Sequence, residues 1–146
     1  MHAILNATPG SRGILFDLPH VLLDVPGSDR MEVCAGDFFK DPLPQANAYV
    51  LSEVLHDWSD ERAVEILCAV RASAREGAHV LVLEVVLPEN PGPHPAHVLD
   101  VIMLALTGGR ERTRADHEAL LRAGGFRLER IVPTYNPVSV VVGVAV

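Results

Sequence analysis

The run His79–Leu87 does most to limit what this chain can fold into. It reads HVLVLEVVL, aliphatic and largely β-branched, with one acid, Glu84, inside it. A strand that is apolar on both faces needs cover on both, as in a parallel sheet packed between helices. A carboxylate there is costly unless it is paired or lies at the rim of the sheet. Glu84 therefore reads either as a functional acid or as a salt-bridged structural one.

The rest of the chain repeats the order strand, turn, helix. Gly13–Asp17 reads as a buried strand ended by Pro19, and Met31–Ala35 as a second ended by Gly36-Asp37. Ala48–Ser52 is a third, running towards Leu55-His56-Asp57-Trp58. Ser59 or Asp60 caps a helix to about Arg75, with Ala63, Ile66, Leu67 and Val70 at helical spacing. Glu76-Gly77 stops it, and His79–Leu87 follows as the fourth strand. Pro88–Pro95, with four prolines, is a loop, and Ala96–Leu106 has the apolar density of a buried helix. Thr107–Arg112 reads as a turn, and Thr113 caps a helix that Gly124-Gly125 ends. Arg127–Pro133 and Val138–Val146 form an antiparallel hairpin around Thr134-Tyr135-Asn136-Pro137. The alternation implies an α/β fold with a mostly parallel sheet and an antiparallel edge.

At 146 residues the chain has room for one core, not two full domains. Twelve basic residues against 19 acidic ones, with no basic run, argue against nucleic acid as a partner. The start, Met1–Leu5, has no basic flank, and no apolar run approaches the roughly 20 residues that span a bilayer. Cys34 and Cys68 lack metal-ligand spacing and read as buried free thiols of a cytoplasmic protein. His94, His97 and Asp100 share helical spacing, but read as a solvated or core-edge face, so no metal is expected.

In open α/β sheets ligands bind beyond the carboxyl ends of the strands. The first strand delivers Asp17 there, the second Asp37, and the third Ser52 with His56-Asp57 beyond. Asp17 and Asp37 read equally as turn caps, and His56 as a core-edge histidine. A carboxylate at a strand end is the usual partner of ribose hydroxyls, and lies about 20 residues after a glycine-rich loop. Counting back from Asp17 runs off the chain, and Pro9–Gly13 is a turn before a strand. The pattern suggests a cofactor-binding sheet without its opening unit.

Phe16-Asp17-Leu18-Pro19-His20-Val21, Gly36-Asp37-Phe38-Phe39, Leu55-His56-Asp57-Trp58-Ser59-Asp60 and Gly108-Gly109-Arg110-Glu111-Arg112-Thr113 occur in the order and approximate spacing of one family. From about Ala7 to Val146 the chain resembles the S-adenosylmethionine-dependent small-molecule O-methyltransferases, with a bacterial rather than plant flavour. The resemblance implies a Rossmann-like class I methyltransferase sheet. Asp17 would hold ribose hydroxyls with Leu18 nearby, and Asp37 and Phe38 would bracket the adenine. Ser52 falls where the family has a polar or basic cofactor contact, and Trp58 would pack near the adenine. His56 matches the general base, Glu84 and Glu111 the acids that orient it, and Asp57 a structural part of the motif. Met103, Leu106 and Thr107 fall where the substrate pocket is lined. The implied substrate is a hydroxylated, aromatic or polyketide-type small molecule. A phenol, with a pKa of about 10, needs such a base at neutral pH.

Full family members carry an N-terminal helical dimerisation domain, then a first, central strand with its glycine loop. The expectation is one partial domain, 1–146, without these parts and with an interior gap in its sheet. Exposed strand edges at a gap are a liability. Pairing of Ile14–Asp17 with Ala48–Ser52, Met1–Leu5, or another chain would close it. Full members are expected to be homodimers. The readings left open are a segment of a longer methyltransferase, a non-catalytic or split subunit needing a partner chain, and a changed activity on the same fold.

Overall fold

The computed structural model describes residues 1–90, 92–135 and 137–146. Pro91 of the expected loop and Asn136 of the expected turn lie outside the described residues. The chain divides into two compact units, Met1–Pro44 and Gln45–Val146.

In the first unit, helix α1 (His2–Ala7) precedes strands β1 (Gly13–Asp17) and β2 (Met31–Ala35). The strands pair in parallel, from Gly13 opposite Met31 to Asp17 opposite Ala35. The Arg30 guanidinium donates to the carbonyls of Leu5, Thr8 and Pro9 at 2.8, 3.4 and 3.3 Å. It thereby ties the end of α1 to the entry of β2. Leu5, Leu22 and Met31 are the buried apolar side chains of this unit. β1 is half-buried rather than buried as expected. Among the described residues it pairs with β2 alone, and a two-stranded sheet offers little cover.

The second unit holds β3 (Ala48–Ser52), a 3-10 turn (Leu55–Asp57), α2 (Asp60–Ser73) and β4 (His79–Leu87). It continues through α3 (Pro95–Leu106), β5 (Arg112–Thr113), α4 (Arg114–Ala123), β6 (Phe126–Pro133) and β7 (Val138–Ala145). The strand order is β3-β4-β7-β6, with β5 on the end of β4. β3 and β5 run parallel to β4, while β7 pairs antiparallel with both β4 and β6. This is the α/β sheet with a terminal hairpin that the pattern implied. The short β5 falls where a plain turn was expected.

Local chemistry sets the helix bounds. Ser59 Oγ accepts from Arg62 N and caps α2, which ends at Ser73, short of the expected Arg75. Thr113 and Asp116 form a reciprocal capping box on α4. Ala63, Ile66, Leu67 and Val70 of α2 and Leu120 and Leu121 of α4 are buried, as are Val80, Val82, Phe126 and Val141 of the sheet. A Cβ at Gly143 on β7 would lie 2.9 Å from Val80 Cγ1 and 3.1 Å from Leu121 Cδ2, so α4 lies tight against the strands.

Four expectations need correction. The expected gap was not closed by pairing Ile14–Asp17 with Ala48–Ser52; β1 and β3 belong to different sheets, and Met1–Leu5 forms no strand. β4 alternates buried and half-buried residues over most of its length instead of being covered on both faces. α3 is not a buried helix: only Ala96 is buried, and Val98, Val101, Leu104 and Leu106 are more than 60% exposed. Its composition states how apolar it is, not what covers it. Cys34 is half-buried and Cys68 exposed, because Cys68 stands one position past Leu67, about 100° around α2 from its buried stripe. No helix of the described residues is long and apolar enough to cross a membrane.

Candidate active site

In the second unit β3 ends at Ser52, which is exposed, and the chain turns sharply. Glu53 takes a left-handed conformation, φ 53°, and its amide donates to Leu83 O at 3.0 Å. The next residues form the 3-10 turn that presents His56, whose side chain is 13% exposed. His56 Nδ1 lies 3.2 Å from Glu111 Oε1. His56 Nε2 lies 3.8 Å from Asp57 Oδ1, too far for a hydrogen bond.

The two expected orienting acids act on the histidine differently. Glu111, 2% exposed, meets the ring. Glu84, 1% exposed, accepts through Oε1 from the amides of Leu55 at 2.6 Å and His56 at 3.1 Å. Glu84 thus holds the backbone that carries the ring. Burial raises the pKa of both acids above the ordinary carboxylate value. Opposing it, the charges of His56 and Arg112 lower both, and Asp100 raises Glu111 further. Glu111 Oε2 is buried with no hydrogen-bond partner among the described residues.

Three further residues bear on this turn. Asp100 on α3, half-buried at the core edge, accepts from Glu111 N at 2.9 Å and so steadies the acid's backbone. Arg112, 1% exposed, donates to the carbonyls of Leu55 and Trp58 and to Asp60. Gly109 lies so close that a Cβ would sit 1.9 Å from His56 O. The signal for the glycine was its place in the Gly-Gly-Arg-Glu-Arg-Thr run. A buried arginine beside a buried acid leaves no periodic trace.

Of the other expected residues in this unit, Trp58 is half-buried, with the Arg62 guanidinium 5.8 Å from its ring centre. Met103 is half-buried, Leu106 is exposed, and Thr107 Oγ1 donates to Met103 O at 2.9 Å. His94 Nδ1 accepts from Ala96 N and caps α3, with the His97 ring 6.3 Å away. Among the described residues no group of three or more His, Cys, Asp or Glu is arranged to hold a metal ion.

In the first unit Asp17 ends β1, exposed, and its Oδ1 accepts from Leu18 N at 2.7 Å. Leu18 is 38% exposed. Asp37 lies beyond β2; its Oδ1 accepts from Phe39 N at 2.9 Å and its Oδ2 pairs with Lys40 at 2.8 Å. The Phe38 ring meets Phe39 edge-on at 4.7 Å.

A family model for the O-methyltransferase domain matches residues 1–127. Phenazine O-methyltransferase PhzM of Lysobacter antibioticus is 40% identical over 97% of this chain and 43% of its own. O-demethylpuromycin-O-methyltransferase of Streptomyces alboniger is 40% identical over 95% of this chain and 40% of its own. Human N-acetylserotonin methyltransferase, solved in complex with SAM, superposes with a TM-score of 0.90 at 32% identity, over 97% of this chain and 42% of its own. The chain spans about two fifths of the length of the curated relatives it matches.

Proposed function

Because the chain belongs to the O-methyltransferase family, we propose that it is the base-bearing portion of an S-adenosylmethionine-dependent methyltransferase acting on a hydroxyl of a small, aromatic or polyketide-type molecule. The observation that carries this reading is the His56–Glu111 pair, with the ring nitrogen 3.2 Å from a buried carboxylate.

The pair suits deprotonation of a hydroxyl. With the Nδ1 proton held by Glu111, Nε2 is left as the acceptor. His56 Nε2 takes the hydroxyl proton as the oxygen becomes nucleophilic. Glu111, a buried carboxylate 3.2 Å from Nδ1, then stabilises the imidazolium by its charge. Glu84 keeps the ring at a fixed height through the Leu55 and His56 amides. Met103, Leu106 and Thr107, on and just beyond the last turn of α3, are the proposed substrate contacts.

S-adenosylmethionine, when bound, supplies an electrophilic methyl group. The exposed Asp17 carboxylate at the end of a parallel strand has the acceptor chemistry of a ribose contact, beside Leu18. Asp37 and Phe38 are the proposed adenine contacts of the same unit. In the second unit, Ser52 and Trp58 are the proposed cofactor contacts. The domain assignment follows: residues 1–146 form part of a methyltransferase domain whose relatives are longer. Homodimerisation as in full-length family members, a partner chain that completes the sheet, cytoplasmic location, and no nucleic-acid or membrane partner belong to the same proposal.

Incubation with methyl-labelled S-adenosylmethionine and a panel of simple phenols tests it. Label recovered on the phenolic oxygen supports the reading. Cofactor binding by calorimetry with no label transferred to any acceptor would favour a non-catalytic or split subunit.

A further inference from the structure

The largest fully buried side chain of the described residues is a charged one, Arg112. Its Nη1 donates to Leu55 O at 2.8 Å and its Nη2 to Trp58 O at 2.9 Å. These two carbonyls stand on either side of His56-Asp57. Nε donates to Asp60 Oδ1 at 3.0 Å. The turn is held from other sides as well: Glu84 takes the Leu55 and His56 amides, and Arg110 N donates to His56 O at 2.9 Å.

A buried guanidinium is expensive to desolvate, and an apolar side chain would fill the same space at less cost. Among the described residues its directly bonded anion, Asp60, is about half exposed, so screening leaves that ion pair little worth as a source of stability, while the buried Glu84 and Glu111 feel its charge without bonding it. What Arg112 does that an apolar residue would not is grip two backbone carbonyls at once with a rigid fork. It also follows Glu111 directly in the chain, and β5 fixes Arg112 opposite Val86. One short segment therefore carries both the acid that meets the ring and the cation that holds the turn.

We infer that Arg112 is a positioning residue for the histidine base: it clamps the carbonyls bracketing His56 and so fixes the ring nitrogen against Glu111. The kinetic consequence rests on the methyl-transfer reading above; the structural consequence does not. Losing the clamp lets the ring shift, and a displacement of about 1 Å at a reacting group costs on the order of 100-fold in rate.

The test uses the full chain labelled with 15N at histidine, read by NMR without cofactor or acceptor. In the unmodified chain the Nδ1 proton of His56 is expected to be fixed by Glu111. Arg112→Lys keeps the charge but cannot grip both carbonyls, and is expected to give mixed His56 tautomers. In the transfer assay kcat should fall about 100-fold while KM for the acceptor changes little. Asp60→Asn loosens the guanidinium from a half-exposed position, and covers the case in which Arg112→Lys does not fold. It should move the same ring signals in the same direction, with a smaller loss of kcat. Unchanged His56 signals in Asp60→Asn, or a folded Arg112→Lys that loses thermal stability with ring signals and kcat intact, overturn the inference. An unmodified chain that transfers no methyl group, with the ring signals still displaced in the variants, sinks the methyl-transfer reading and upholds the clamp.

Discussion

In Met1–Pro44 the acids at the strand ends are open or bonded locally: Asp17 is exposed, and the half-buried Asp37 bonds the nearby Phe39 amide and Lys40. In Gln45–Val146 the acids are deep: Glu84 and Glu111 are 1% and 2% exposed and bond partners 29 and 55 residues away. The apolar cores differ in the same sense. Among the described residues three buried apolar side chains lie in the first unit and sixteen in the second. A general base must be held to within a fraction of an ångström, and the proposed base, His56, lies in the unit with the larger apolar core and the buried acids. The proposed ligand contacts Asp17 and Asp37 need no such burial, because a bound ligand itself supplies the order.

The contrast is easiest to break through the cores. Phe126→Ala empties a fully buried site of the second unit, and is expected to cost about 3–5 kcal/mol in urea unfolding. Leu22→Ala, at a shallower site of the first unit, should cost about 2 kcal/mol. Equal costs would remove the distinction.

Buried titratable groups sharpen it next. His117 on α4 is buried, and burial first, then the Arg112 charge, lowers its pKa from 6.5 to about 4. Between those values the unfolded chain binds the extra proton. Stability from this residue is therefore present above pH 6.5 and lost as pH falls towards 4, by roughly 3 kcal/mol. Glu84 and Glu111 act in the opposite sense: their raised pKa means the folded chain holds protons longer, so they weaken the fold as pH rises above the ordinary carboxylate range. His117→Gln should flatten the acid limb of a stability–pH curve; an unchanged limb would contradict the assignment.

At the exposed acids the effect is on binding, not folding. Asp17→Asn should weaken S-adenosylmethionine roughly 10- to 100-fold by calorimetry, the worth of a hydrogen bond to a charged group, and leave the melting temperature unchanged. The smallest expected effect is in amide exchange: β1 and β2 should exchange faster than β4 and β7. Equal protection would show that the first unit is better held than its few buried residues suggest.

Much of this arrangement was legible in the sequence because it rests on periodic or local signals. The α2 stripe, the Thr113 cap and the closing hairpin lie where pattern and capping chemistry put them. His56 and Glu111 were identifiable because their motif survives intact. What was not legible depends on partners. Glu84 is expected as an acid that orients the histidine, but that it meets the turn through backbone amides cannot be seen beforehand, since every residue carries them. Arg112 reads as part of a turn, since no spacing reveals that carbonyls 54 and 57 residues back will meet it. Asp100 shares helical spacing with His94 and His97, and its bond to the Glu111 amide, 11 residues on, leaves no mark in that spacing. α3 misled for the same reason, because cover belongs to neighbours and not to the helix.

The most direct test of the account is the methyl-transfer rate of His56→Ala against the unmodified chain, at saturating cofactor and acceptor. Removal of a general base is expected to lower the rate by about 100- to 10,000-fold, with cofactor affinity and thermal stability preserved. A variant that turns over at the unmodified rate would contradict the assignment of His56 as the base.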